Sequence, residues 1–547
     1  MGRPRRTAVR DALAPGWPTG WPLWLFLAFV LVGVAVYWPS LDGLLVSDDH
    51  SYFGDNPYVS RLSLENLRQI WDPFGAPAYY VANYAPVHLT LHALLQYAFG
   101  LDVTVHHVVN LVLHAANCVL LIALFLESRI PPTAALLAGV AFLVHPANVE
   151  AVAWMSQLKT LAAFGLGFGA VWLHPRRPFL GALAFTLAML TKPIAVAALA
   201  LAVGIQWTRN RSDRRAWSWL ALWLLVFACH MPVEMHIFQD RGQIEAAAFE
   251  DVGVHLRTVA AIGTRYLVMA STSQGVGAFQ EPDPVLSWFD PWWLASLPLG
   301  LWLAWRMLSA LRRRDEEGAW WLCAAVAFAP ISQIFPFEFP IADRYLYFVL
   351  PGLLGGALLA SLPTCRRWAA DARLRWPVES ISRAAAIAVL VVCAAFAFHA
   401  HRRANLWQNE LRLLREAAAR YPESATAHYL RARLPAQNGD VQAALISLRA
   451  AVDAGLDDFV VYARDPGLAP IRGTPDFNAF LAQTAERWLR RQREPEMQWD
   501  LRKVARAYVL IGEPGRARPY LERALALGGP FDEAVRAELA ELDPSPP

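Results

Sequence analysis

The sequence predicts an all-α, polytopic membrane protein of about 11 transmembrane helices, followed by a C-terminal α-helical domain. Three observations carry that prediction. Hydrophobic residues make up 56% of the 547 residues and charged residues only 17%, where a soluble chain is about a quarter charged. Apolar runs recur as far as residue 401, many near the roughly 20 residues that cross a bilayer. Beyond that point the chain becomes charged, Ala-rich and helical in period.

The first element is the apolar run 21–41, preceded by the basic segment MGRPRRTAVR. The run is too long for a signal peptide and has no A-x-A cleavage pattern, so it reads as an uncleaved first span. Further apolar segments follow at 106–126, 132–147, 157–173, 179–191, 193–208, 216–231, 291–310, 319–335, 344–361 and 381–399. The arginines sort these spans. Arg3, Arg5, Arg6 and Arg10 and the basic connections 174–178, 209–215, 312–318 and 365–375 all fall on one side, which the positive-inside rule makes cytoplasmic. That topology requires 86–100, PVHLTLHALLQYAFG, to be an amphipathic helix on the outer face. It also creates large outer loops at 42–105 and 232–290 and places the C-terminal tail outside. Cys118, Cys229, Cys323, Cys365 and Cys393 lie far apart and read as packing residues rather than a disulfide framework.

Residues 402–547 form the second domain. Two of its stretches, NGDVQAALISLRAAVDAG and IGEPGRARPYLERALALG, align at an offset of 73 through Gly439/Gly512, Ala444/Ala517, Leu448/Leu521, Ala451/Ala524 and Gly455/Gly528. Small residues at a helix crossing and a Gly at the turn suggest tetratricopeptide-like helix pairs.

The outer side collects the unusual polar residues. Asp48 and Asp49 stand together in SDDH just after the first span, followed by His88 and His92 on the surface helix. His145, Glu150 and Lys159 come from HPANVEAVAWMSQLKT, Lys192 from TKP, and Arg265, Asp343, Arg344 and Tyr347 from later segments. Adjacent carboxylates can share a proton, which lifts one of them toward neutrality and suits a general base. Cations nearby suit a phosphate. Each residue also has a plainer role: the acids as a solvated helix entry, His145 as a cap, Lys192 snorkelling to headgroups, Asp343–Arg344 as an ion pair. His88 and His92 are four apart, a metal-ligand spacing on a helix, but no third ligand is close in sequence and one-sided packing explains them better. Their shared side favours chemistry on a lipid-linked phosphate, with no nucleic acid involved.

The order of motifs SDDHSYFGDNPYVSRLSLENLRQIW, NYAPVHLTLHALLQYAFG, FLVHPANVEAVAWMSQLKT, AMLTKPIAV and FPIADRYLYFVLPGLL, ending in the repeat tail, resembles bacterial relatives of the transmembrane and tetratricopeptide repeat O-mannosyltransferases of the GT-C glycosyltransferase superfamily. The resemblance implies transfer of a sugar, mannose among the candidates, from a polyprenyl-phosphate carrier to a hydroxyl acceptor on the periplasmic face of a bacterial inner membrane. It implies that Asp48 or Asp49, with Asp48 preferred, deprotonates the acceptor. Lys192, with Lys159, Arg265 or Arg344, would hold the donor phosphate. His145 and Glu150 would line the site, and Asp343, Tyr347 and His88 would complete the substrate-binding set. Acceptor protein would bind the repeats. Family members differ in whether a divalent cation sits at the acidic pair, so that cofactor stays open. The segment FQEPDPVLSWFDPWW and the short tail depart from the pattern. A non-catalytic scaffold, a lipid-linked sugar ligase acting on a glycan and, last, a transporter are the competing expectations.

Overall fold

The computed structural model describes residues 20–240, 251–280, 282–334, 340–370, 378–492 and 494–542. The chain divides into two compact units, Met1–Arg412 and Leu413–Pro547. Regular structure in both is helical among the described residues, and strand pairing is limited to one isolated bridge between Gln280 and Ile341.

In the first unit six helices are long and apolar enough to cross a membrane: Trp21–Ser40, Val103–Glu127, Arg214–Gln239, Pro291–Arg313, Asp343–Thr364 and Arg383–Gln408. A seventh candidate is the pair Pro132–Val144 and Pro146–Ala153, bent by 50°. The remaining predicted segments are also helical but shorter: Leu158–Leu173, Pro178–Met189, Val196–Asn210 and Glu317–Phe328. The sheath they form is apolar on the outside, with Leu301, Trp302 and Trp305 on one helix and Ile387, Val391 and Phe398 on another left exposed. Such surfaces match hydrocarbon rather than water.

Val103–Glu127 is the centre of the unit and packs against Trp21–Tyr37, Pro132–Val144 and Leu158–Leu173. Close approach elsewhere depends on glycine. A Cβ at Gly355 or Gly356 would fall within 2.5 Å of the Trp320 or Trp321 ring. Their absence of side chain lets Leu346–Ala370 lie directly on Glu317–Phe328.

Two predicted boundaries shift. The expected loop 232–290 is mostly helix: the span beginning at Arg214 runs through Pro232 to Asp240, and Val252–Thr272 forms a further helix capped by Asp251. The first unit also continues to Arg412 rather than 401, since Trp407 and Gln408 fold back: Leu44 N–H donates to Gln408 O at 2.8 Å, and Trp407 stacks on Trp154. The N-terminal arginines and parts of 232–290 and 365–375 lie outside the described residues.

The second unit contains two helix pairs, Ala425–Gln437 with Val441–Asp453 and Gln498–Leu510 with Pro514–Leu527. Each helix of the second pair starts 73 residues after its counterpart. The turns rest on Gly439 (φ 74°) and Gly512 (φ 80°), in the left-handed region that other residues enter at a cost of roughly 1 kcal/mol. Ala444, Leu448 and Ala451, and again Ala517, Leu521 and Ala524, are buried at the crossings.

Candidate active site

The segment after the first span is pinned before it is functional. Asp49 is 1% exposed. Its Oδ2 accepts Val46 N–H at 3.0 Å, and its Oδ1 accepts Ser156 N–H at 2.8 Å together with the Ser156 hydroxyl. Trp154 Nε1–H adds a bond to Val46 O at 3.1 Å. These reach a deliberate break in the helices: Val149–Ala153 ends at an extended Trp154, and a short turn Met155–Gln157 follows. Carbonyls freed by that break are met by Asn110 Nδ2, 3.0 Å from Trp154 O. Broken helices inside an apolar unit need such partners. Burial pushes the Asp49 carboxyl up to about 7, with the Asp48 charge adding to the rise.

Asp48 differs in every respect. It is only half-buried, and no backbone amide among the described residues holds its carboxylate; Ser47 Oγ lies 3.5 Å away. Ser47 itself takes φ 51°, an uncommon left-handed conformation for a residue with a Cβ. Asp48 lies within electrostatic reach of Tyr52, Lys159, Lys192 and Arg344.

Those basic side chains come from separate helix breaks, and burial lowers the pKa of both lysines. Lys159 begins Leu158–Leu173, is buried, and donates from Nζ to Tyr52 Oη at 2.7 Å while lying 4.0 Å from that ring's centre. Lys192 sits in extended backbone ahead of Pro193, which disfavours helix at the residue before it. Its Nζ donates to Thr160 Oγ1 at 2.8 Å and to Gln157 Oε1 at 3.4 Å. Arg344, in the turn Asp343–Tyr345, forms an ion pair with Glu150 and also donates its backbone N–H to Glu150 Oε2 at 2.9 Å. Its guanidinium lies over the Trp154 ring at 5.1 Å. Glu150 is therefore the counter-ion that orients Arg344.

His88 belongs to the same region: its ring meets Tyr52 at 5.0 Å and His92 at 4.5 Å. Burial and the nearby Lys159 keep both imidazoles well below their usual pKa, hence neutral. Four other predicted residues have partners of their own away from this cluster. His145 caps its turn, its Nδ1 accepting Ala147 N–H at 3.2 Å and its Nε2–H donating to Ala270 O at 3.1 Å. Asp343 accepts Gly277 N–H at 3.0 Å and Gln280 Nε2 at 2.9 Å, with Arg403 at 3.6 Å. Tyr347 is buried in the helical core, bonded to His114 at 2.8 Å. Arg265 stacks on Trp292 at 4.8 Å.

Tyr52, Gln157, Thr160 and Glu234 also belong to this region, and no motif in the sequence singles them out. Glu234 is 1% exposed, accepts Tyr84 N–H at 2.9 Å and lies within electrostatic reach of Lys159. A carboxylate in an apolar helix is itself a functional signal, hidden here by assigning residue 234 to a loop.

Both oxygens of Asp49 already accept protein hydrogen bonds, which ties it to the backbone of its own loop and of residue 156. Among the described residues no group of three or more His, Cys, Asp or Glu is gathered for a metal.

The molecule is thus an all-helical chain with several membrane-length apolar helices and a buried acid–cation cluster at their breaks. No family model, curated protein or solved structure matches it.

Proposed function

We propose that the protein is a membrane glycosyltransferase of GT-C type, moving a sugar from a polyprenyl phosphate to a hydroxyl acceptor. The single observation that carries this reading is the convergence of half-buried Asp48 with Lys159, Lys192 and Arg344, each delivered by a different helix break. A lone base or a lone cation has many uses. A base facing three cations suits a reaction in which a hydroxyl loses a proton while a phosphate gains charge.

Asp48 takes the proton of the acceptor hydroxyl. The acceptor oxygen bonds to the sugar's anomeric carbon as the bond from that carbon to the phosphate oxygen breaks. The polyprenyl phosphate leaves with the electron pair, and Lys192, Lys159 and Arg344 stabilise its charge. Glu150 holds Arg344, and Asp49 holds the loop that carries Asp48, so Asp49 acts by positioning. The apolar helices accommodate the prenyl chain. Mannose and a protein Ser/Thr acceptor are the favoured pair on the motif resemblance.

In this reading the shorter apolar helices complete about 11 crossings, the N-terminus faces the cytoplasm, and the site faces the periplasm of a bacterial inner membrane. The 73-residue spacing of the two helix pairs supports tetratricopeptide-like repeats, which would bind acceptor polypeptide.

The test is transfer of radiolabelled sugar from polyprenyl-phosphate donors by the purified full chain, followed into protein and glycolipid fractions of an envelope extract. Label entering protein, abolished by Asp48→Asn, is the expected result. Label entering only lipid-linked glycan makes the protein a ligase. No transfer from any donor by well-folded protein leaves the scaffold role and overturns the enzyme.

A further inference from the structure

Buried side-chain atoms near Tyr52 with no hydrogen-bond partner among the described residues include Asn83 Oδ1, both ring nitrogens of His88 and of His92, and Glu234 Oε1; the ring nitrogens of His106, stacked against His92, are unmet as well. They are neighbours. The Asn83 side chain lies within electrostatic reach of the Tyr52 hydroxyl, the His88 ring lies 5.0 Å from the Tyr52 ring, and the His92 ring lies 4.5 Å from that of His88. Glu234 is within electrostatic reach of both Tyr52 and Lys159. Buried polar atoms are ordinarily satisfied, and a concentration of unmet ones points to a missing polar occupant.

The chemistry of the unmet atoms restricts what that occupant is. Asn83 Oδ1 and Glu234 Oε1 accept. A neutral imidazole offers one donor and one acceptor. A phosphate needs donors only, and the Glu234 carboxylate opposes it. A simple cation needs acceptors only, and the imidazole N–H groups oppose it. Hydroxyl groups both give and take, so a ring carrying several of them meets the whole set. Tyr52 and Phe53 are buried beside the imidazoles, with Phe53 stacked on His92 and His106 and Lys159 over the Tyr52 ring, so they hold the imidazoles in place.

We propose that Asn83, His88, His92 and Glu234 form the subsite that binds the hydroxyls of the transferred sugar, next to the cations that bind its phosphate. The inference rests on the glycosyltransferase reading and assigns the sugar-recognising residues of that same site. Glu234 Oε2 is fixed by Tyr84 N–H at 2.9 Å, which leaves Oε1 for the sugar. Glu234→Gln keeps an oxygen for Tyr84 and replaces the free acceptor with a donor. His88→Phe keeps a ring against Tyr52 and removes both nitrogens.

The experiment measures binding of two lipids, undecaprenyl phosphate and undecaprenyl-phosphate mannose, to the full chain in nanodiscs by native mass spectrometry. For each variant the bare phosphate should bind within about twofold of wild type, while the mannosyl lipid should weaken by about tenfold or more. Equal weakening of both lipids means that the residues only support the fold, and overturns the subsite. No weakening of either means that water alone fills the space, and also overturns it. Wild-type protein that binds neither lipid refutes the glycosyltransferase reading itself and removes the subsite with it. Glucosyl and galactosyl lipids run in parallel show whether the same residues discriminate among sugars.

Discussion

The first unit holds two polar clusters of opposite character. Around Asp343 every demand is met within the protein: the carboxylate takes Gly277 N–H, the Gln280 amide and Arg403, and it is 0% exposed. Around Tyr52 the demands are left open: Asp48 faces cations without an amide to hold it, and Asn83, His88, His92 and Glu234 keep unmet atoms among the described residues. Both clusters hold acids and cations near apolar helices, and in sequence they look alike. The difference is whether the protein supplies the partners. A closed cluster fixes the shape of the chain, whereas an open one leaves room for a substrate.

The sharpest way to break this comparison is to remove one acid from each cluster. Asp48→Asn should reduce transfer by about 10²–10⁴-fold, the range for losing a general base, with the melting temperature unchanged. Asp343→Ala should instead destabilise the chain by about 3–5 kcal/mol, because Arg403 and the Gly277 amide are left buried without their acceptor. Thermal unfolding in detergent and single-turnover transfer, run on both variants, check the pair. A stability loss in Asp48→Asn, or intact stability in Asp343→Ala, would erase the distinction between them. Lys192→Met comes next in size. It should cost roughly 10²-fold in transfer through poorer stabilisation of the leaving phosphate, and it should weaken binding of bare undecaprenyl phosphate too.

Asp49 tests the boundary between the clusters. It adjoins the open cluster but is closed by Val46 and Ser156. Burial raises its carboxyl to about 7 in the folded chain. An acid whose pKa rises on folding stabilises the fold fully below its unfolded pKa and loses that contribution as pH climbs through the folded value. The melting temperature should therefore fall between about pH 4 and pH 7. Asp49→Asn, which cannot ionise, should flatten that fall. The full effect is on the order of 4 kcal/mol. A wild-type profile unchanged by the substitution would show that Asp49 does not titrate in this window.

Much of the architecture was legible because it rests on local pattern. Apolar runs gave helices at every predicted segment, and the paired residues from Gly439/Gly512 to Gly455/Gly528 gave a 73-residue offset that the helix starts reproduce. What the sequence does not show is the long-range partners. Nothing near Asp343 in sequence announces Gly277, and nothing near Asp49 announces Ser156, 107 residues away. His145 and Asp343 consequently resembled site residues, although backbone groups from other segments occupy them. Glu234 was overlooked for the opposite reason. The apolar segment ends at residue 231 and the expected loop follows directly after it, yet a helix continues through Pro232 when neighbouring groups satisfy the freed backbone.

The smallest predicted effect concerns how Asp48 is aimed. Ser47, with φ 51°, bears the only turn between the pinned Val46 and Asp48. Left-handed backbone costs a residue with a Cβ roughly 1 kcal/mol, and glycine enters it freely. Ser47→Gly relieves that strain in the folded chain but also loosens the unfolded one, so stability should change by less than about 1 kcal/mol. Transfer should respond differently. If the strained turn serves to present Asp48 to the acceptor, the more mobile glycine lowers single-turnover transfer by about three- to tenfold without altering binding of undecaprenyl phosphate. An unchanged rate would mean that Asp48 is oriented by the surrounding cations rather than by its own backbone. The open cluster would then be organised by charge, and the closed one by hydrogen bonds.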